Sequence, residues 1–167
     1  MAERLTLILG GARSGKTRHA EALIKALPAP WVYVATAEVW DEEMRERVER
    51  HKADRSEAGW ITVEAPTDLA AALATDHPVL VDCLTLWVTN LMLGDHDIDA
   101  ATLRLEAALA TRSAPTFLVA NEVGLGIVPD NKMARDFRDH AGRLHQRLAQ
   151  KADQVILMVA GLPLTVK

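Results

Sequence analysis

An apolar run, Leu5-Thr6-Leu7-Ile8-Leu9, breaks abruptly into Gly10-Gly11-Ala12-Arg13-Ser14-Gly15-Lys16-Thr17. These eight residues satisfy G-x-x-x-x-G-K-[ST] at every fixed position. They lie between a predicted strand and a predicted helix, the context in which the pattern has a mechanical meaning. Gly10, Gly11 and Gly15 permit backbone conformations closed to other residues, so that successive N–H groups can turn inward around an anion. A helix starting near Lys16 adds the positive end of its dipole. Lys16 is expected to reach the β and γ phosphates of a nucleoside triphosphate, and Thr17 to place its hydroxyl on Mg²⁺. A glycine-rich turn that matches by accident is the alternative, and the flanking strand and helix argue against it.

Strand and helix signals alternate along all 167 residues. Residues 5–9, 31–35, 61–64, 79–81, 116–120 and 155–160 read as strands. Residues 16–26, 41–52, 68–74, 84–93, 99–111 and 131–151 read as helices. In the last helix Met133, Phe137, Ala141, Leu144 and Leu148 recur at helical spacing and predict one apolar face. The tail, residues 164–167, is a candidate edge strand. Strands apolar on both faces and separated by helices imply an α/β fold, with a mostly parallel sheet covered by helices on both sides. The length predicts a single domain over residues 1–167. In such sheets ligands sit at the carboxyl ends of the strands. That rule gathers Gly10 to Thr17, Ala35-Thr36-Ala37, Asp82 and Asn121-Glu122 on one rim.

Composition excludes several classes. A formal net charge of −4 argues against a broad nucleic-acid surface. No run of 18 apolar residues is present, so no membrane span is expected. Met1-Ala2-Glu3-Arg4 leads straight into the first strand, and no signal peptide is expected there. The lone cysteine, Cys83, cannot form an internal disulfide, which fits a reducing cytoplasm. We read it as a small buried hydrophobe.

Other positions carry possible chemistry. Asp82 closes the apolar run Val79-Leu80-Val81, where its carboxylate would hold Mg²⁺, or else cap the next helix. Asn121-Glu122-Val123-Gly124-Leu125-Gly126-Ile127-Val128-Pro129 is either a substrate-facing loop or a flexible crossover with a capping Asn. Arg47, His51 and Arg55 are spaced to share a helix face, where neighbouring cations would keep the imidazole neutral and nucleophilic. A solvated charged helix is the alternative. Glu64, at a strand end, has a carboxylate able to accept two hydrogen bonds from the guanine edge, or to be simply solvated. Trp31, Trp40, Trp60 and Trp87 suit either contact surface or core. His19, His77, His96, His140 and His145 show no metal-ligand spacing and read as surface or structural.

Taken together, the segments resemble the bifunctional adenosylcobinamide kinase / adenosylcobinamide-phosphate guanylyltransferase family. The resemblance rests on the stretch from Gly10 to Glu21, on Tyr33-Val34-Ala35-Thr36-Ala37, and on Arg50-His51-Lys52-x-x-Arg55. It continues through Asp82-Cys83-Leu84-Thr85, Thr89-Asn90-Leu91, the 121–129 loop, and Ala141-Gly142-Arg143-x-x-Gln146-Arg147-Leu148. A glycine loop alone would be unspecific, whereas its combination with the 121–129 loop is highly specific.

The resemblance implies a RecA-like P-loop fold, a homotrimer, and two reactions in corrinoid assembly. In the first, the hydroxyl of the aminopropanol arm of adenosylcobinamide takes a phosphoryl group from ATP or GTP. In the second, GTP gives GMP to a histidine, and the GMP passes to adenosylcobinamide phosphate, giving adenosylcobinamide-GDP. The guanylylated histidine falls on His51. The nucleotide contacts fall on Leu9, Gly10, Gly11, Ala12, Arg13, Ser14, Gly15 and Lys16, on Ala35, Thr36 and Ala37, on Lys52, Ala53, Asp54 and Arg55, and on Glu64 and Asp82. Lys16 should serve both activities, and His51 only the second. Two positions depart from the family pattern. Leu9 stands where members often carry a small polar residue, and Asp82 where some carry Glu. Both keep the chemistry, since the first contributes backbone and the second a carboxylate. A plain P-loop kinase with no role for His51, and a non-catalytic nucleotide switch, are the competing readings.

Overall fold

A computed structural model of the chain describes residues 3–39 and 42–167. Within the second helix, the side chains of Met44, Arg47, Val48, Arg50, His51 and Asp54 lie outside the described residues, as does Trp40. Six strands run parallel: β1 (Leu5–Gly10), β2 (Trp31–Ala35), β3 (Trp60–Glu64), β4 (Val79–Asp82), β5 (Thr116–Asn121) and β6 (Gln154–Val159). A seventh, β7 (Leu162–Thr165), pairs antiparallel with β6 and completes a single sheet of order β3-β2-β4-β5-β1-β6-β7. The helices are α1 (Lys16–Lys25), α2 (Glu42–Glu57), α3 (Leu69–Ala72), α4 (Leu84–Leu93), α5 (Ile98–Thr111) and α6 (Lys132–Lys151). Among the described residues no helix is long and apolar enough to cross a membrane.

Period-2 alternation sends successive side chains of each buried strand into two separate cores. Leu7, Val32, Val34, Val81 and Leu118 face α4, α5 and α6. Their neighbours Ile8, Tyr33, Leu80, Phe117 and Val119 pack with Ala20 and Ile24 of α1 on the opposite face. Residues apolar on both faces therefore form the centre of the sheet, as parallel pairing requires. Cys83 is buried, as read from the sequence. Trp60 and Trp87 belong to the core. Asp68, Asp97 and Asn131 cap α3, α5 and α6 by accepting from the backbone N–H three residues on.

Three expectations need correction. Helix α2 runs on to Glu57, past residue 52, because nothing at 52 to 54 breaks it. Met133 is 62% exposed, although its spacing placed it on the buried face of α6. A 20-residue helix is about 30 Å long, whereas a six-residue strand spans about 20 Å. The first turns of α6 therefore overhang the sheet. The last two strands begin one and two residues earlier than expected and lie closer together, with Ala160 and Gly161 as a two-residue turn between Val159 and Leu162. Both turn residues have positive φ, the geometry of a tight hairpin.

One buried cation binds the lower edge of the sheet. The Arg112 guanidinium donates to the carbonyls of Leu73, Thr75 and His77 at 2.6, 2.6 and 2.8 Å. Its Nε donates to Thr116 Oγ1 at 2.8 Å. The segment before β4 is thus tied to the turn before β5. Arg112→Met should lower stability by about 2–4 kcal/mol, because three inward-facing carbonyls lose their donor. The measurement is a fall in the urea midpoint at unchanged slope.

Candidate functional site

The glycine loop spans the gap between β1 and α1, and its glycines are needed for different reasons. Gly15 has φ 91° and leads directly into α1, with no side chain capping the helix. Arg13 shares the left-handed region at φ 54°, whereas Gly10 and Gly11 do not enter it. The expectation that all three glycines serve backbone freedom therefore holds only for Gly15. Gly10 is required for space: a Cβ there would lie 2.5 Å from Ser14 Oγ and 2.9 Å from the Met158 carbonyl oxygen. At Gly11 a Cβ would meet nothing within 4 Å. Leu9 is half-buried and contributes to the sheet core.

Lys16 is buried, and its ammonium donates to Gly11 O at 2.6 Å and lies 3.4 Å from Ser14 Oγ. Burial pulls its pKa below the usual lysine value, while Cys83 and Asp82 oppose that shift. The loop borders a cavity of about 520 Å³ lined by residues 13–18 together with Ala160 and Gly161. Gly161 N donates to Ser14 O at 3.1 Å, so the β6–β7 turn props the loop from behind. The sequence carried a trace of this buttress in Ala160-Gly161 between two apolar runs.

The two residues expected to hold Mg²⁺ lie together. Thr17 Oγ1 donates to Asp82 Oδ2 at 3.1 Å. The same oxygen accepts from the Tyr33 hydroxyl at 2.7 Å. Burial, reinforced by the Asp82 charge, pushes the Tyr33 phenol well above its ordinary pKa, so it stays protonated and donating. One carboxylate and one hydroxyl at the mouth of a phosphate loop form the hard-oxygen set that Mg²⁺ accepts alongside phosphates and water. Tyr33 was missed by the sequence reading, because nothing local distinguishes it from a core aromatic in β2.

Helix α2 is held against this centre at two points. The Arg55 guanidinium lies over the Tyr33 ring, 3.5 Å from its centroid. Lys52 forms ion pairs with Glu64 at the end of β3 and with Glu49 at 2.9 Å. The bond to Glu64, and then that to Glu49, raises the Lys52 pKa. Arg55, Tyr33, Asp82 and Thr17 thus form a series of contacts leading to the glycine loop, and Lys52–Glu64 is a separate tie at the end of β3. Ala53 is exposed, and the backbone of His51 lies in α2 one turn before Arg55. The side chains of His51 and Asp54 lie outside the described residues. Ala35 and Ala37 are half-buried at the rim. Thr36 is fully buried, and its hydroxyl is committed to the backbone of Cys83, donating to O at 2.7 Å and accepting from N at 2.8 Å. Its side chain is a structural tie between β2 and β4.

The tip of β5 completes the rim. Asn121 N donates to Thr85 Oγ1 at 3.0 Å, and Glu122 N donates to Gly10 O at 2.9 Å. The cap of α6 is Asn131, so Asn121 has no capping role. Glu122 Oε1 accepts from Gly124 N at 2.5 Å. His145 of α6 is buried with no hydrogen bond at Nε2. Burial lowers its pKa, and the charge of Glu122 opposes the shift.

The contrast between neighbouring glycines is testable. Gly10→Ala should cost about 1–3 kcal/mol through overpacking, whereas Gly11→Ala should stay within about 0.5 kcal/mol. Chemical denaturation of both variants checks this, and equal losses would contradict it.

Comparison with known proteins identifies the family and the fold. The family described as "Cobinamide kinase / cobinamide phosphate guanyltransferase" matches residues 6–166. The bifunctional adenosylcobalamin biosynthesis protein CobU of Salmonella typhimurium is 44% identical, with 98% of this chain and 99% of that protein aligned. CobP of Pseudomonas aeruginosa, of the same description, is 44% identical over 96% of each chain. CobU of Escherichia coli K12 is 42% identical over 98% of this chain and 99% of that protein. Among solved structures, an ATPase from the type III secretion system of pathogenic bacteria superposes with a TM-score of 0.53 at 10% identity. That superposition covers 97% of this chain and 56% of the ATPase, and it speaks for the P-loop ATPase fold alone. With both the glycine loop and the 121–129 loop inside the matched span, the chain belongs to the cobinamide kinase / cobinamide phosphate guanyltransferase family.

Proposed function

We propose that this protein phosphorylates adenosylcobinamide with ATP or GTP and then transfers GMP from GTP to the product through a covalent intermediate on His51. The observation that carries the reading is the link from α2 to the glycine loop: Arg55 stacks on Tyr33, and Tyr33 holds Asp82 beside Thr17. The helix bearing His51 is thereby docked at the triphosphate site, an arrangement that a plain kinase would not need.

In the kinase step the triphosphate lies along residues 10–17, with the Lys16 ammonium at the β and γ phosphates. Thr17 and Asp82 are the residues that would hold Mg²⁺, which supplies charge neutralisation at the phosphates when bound. In the second reaction the His51 imidazole attacks the α-phosphorus of GTP. The loop then holds departing pyrophosphate, whose charge Lys16 and the loop N–H groups stabilise. A phosphate oxygen of adenosylcobinamide phosphate attacks the His51–GMP bond and releases the imidazole. Splitting one displacement into two in this way is nucleophilic catalysis. Glu64 would read the guanine edge, sharing its carboxylate with Lys52 or releasing it. A homotrimer would give the exposed apolar residues Leu162, Leu164 and Val166 beside the free β7 edge a covering surface. A reducing cytoplasm suits the single buried thiol.

Incubation with Mg²⁺ and GTP labelled at the α-phosphate should label the protein. The label should be acid-labile and base-stable, absent in His51→Ala, and reduced at least about a hundredfold in rate in Lys16→Met. An unlabelled protein that forms ADP only when cobinamide is present would be a plain kinase. Neither signal would leave a nucleotide switch.

A further inference from the structure

We propose that Glu122 is the general base of the kinase half-reaction, taking the proton from the acceptor hydroxyl as it attacks the γ-phosphorus. The inference rests on the bifunctional reading above. Its chemical motive is that the three nucleophiles of the two reactions differ. A neutral imidazole and a phosphate dianion attack without losing a proton. Only the alcohol of the kinase step must shed one, so that step alone needs a positioned base.

Strand order selects the candidate. Neighbouring strands lie about 4.8 Å apart. Glu64, on β3, is four strands from β1, and Asp82, on β4, is two strands away. Glu122 follows β5, which pairs directly with β1, and its N–H bonds the carbonyl of Gly10 where the phosphate loop begins. Asp82 is committed, since its Oδ2 accepts from both Thr17 and Tyr33. Glu122 is held differently. Its Oε1 accepts from Gly124 N, and its Oε2 accepts nothing from the described residues. A Cβ at position 124 would lie 2.9 Å from Oε1, so glycine there permits the clamp. One oxygen fixes the carboxylate and the other is left to accept. Beside it, Leu125 and Ile127 are 86% and 97% exposed. Apolar side chains offered to solvent on the same loop as this carboxylate suit an acceptor with a large apolar body and a single reactive hydroxyl.

In the step itself, the hydroxyl oxygen forms a bond to the γ-phosphorus while its proton passes to Glu122 Oε2. The bond from the γ-phosphorus to the β,γ-bridging oxygen breaks, and its electron pair leaves with the nucleoside diphosphate. Glu122 then returns the proton to solvent.

The test is Glu122→Gln in the full chain, because glutamine keeps an acceptor for Gly124 N and removes the basicity. Phosphorylation is followed with MgATP and adenosylcobinamide, and guanylylation with α-labelled GTP. The expected result is a kcat for phosphorylation at least about a hundredfold lower. KM for ATP and the guanylylation rate should both stay within about threefold of wild type. A phosphorylation kcat within threefold of wild type would overturn the assignment. An equal loss of both activities would overturn it as well, since it would mark a structural role. Wild-type protein lacking phosphorylation altogether would overturn the functional reading first, and this inference with it.

Discussion

Parallel pairing of β1 with β5 and of β5 with β4 sets the dimensions of everything at the rim. The register places Gly10 beside Asn121 and Val119 beside Asp82. The backbone ladder continues one step further, from Glu122 N to Gly10 O. On the far side, β2 aligns Ala35 with both Asp82 and Glu64. Segments separated by up to 112 positions in the chain (Gly10 to Glu122) are thus held at strand spacing by main-chain hydrogen bonds alone. The two hydrophobic cores then make that register costly to slip, because a one-residue shift would exchange the faces of every strand.

Within this frame Asp82 is the point where the two proposed chemistries meet. It touches Thr17 on the glycine-loop side and Tyr33 on the α2 side. Tyr33 is a phenol kept protonated by burial, so it is a permanent donor that carries the position of Arg55 to the carboxylate. The Lys52–Glu64 pair fixes the same helix at the sheet edge. Both partners are partly exposed, so the pair contributes modestly to stability, and a stronger ligand contact can replace it.

Much of this was legible in the residues. Alternation of apolar runs and helical stretches placed every strand and helix within two positions apart from the end of α2, because the central runs are buried on both faces and most helices are bounded by turn residues. Thr17 and Asp82 share the rim expected for them, since a phosphate loop and an acid closing a buried strand lie at the same end of a parallel sheet. The end of α2 was misjudged, since a uniformly charged helix has no periodicity to mark its end. The burial of Met133 was misjudged because spacing gives the face of a helix and not its height above the sheet. Arg112 gave no signal at all: its three carbonyl partners lie 35 to 39 positions away.

What local pattern encodes, then, is the strand–glycine-loop–helix unit, the α/β class and the list of residues that reach the rim. Each follows from steric freedom and periodicity over a few residues. Which rim residues touch was settled by strand order and register. Tyr33 on Asp82, Gly161 against Ser14, and Glu122 beside Gly10 are all contacts across the sheet. Hydrogen bonds of about 3 Å form or fail with one-residue shifts between strands distant in the chain. The glycine loop is a local object that predicts a triphosphate, and its neighbours across the sheet supply the Asp82 carboxylate, the docked helix and the proposed base.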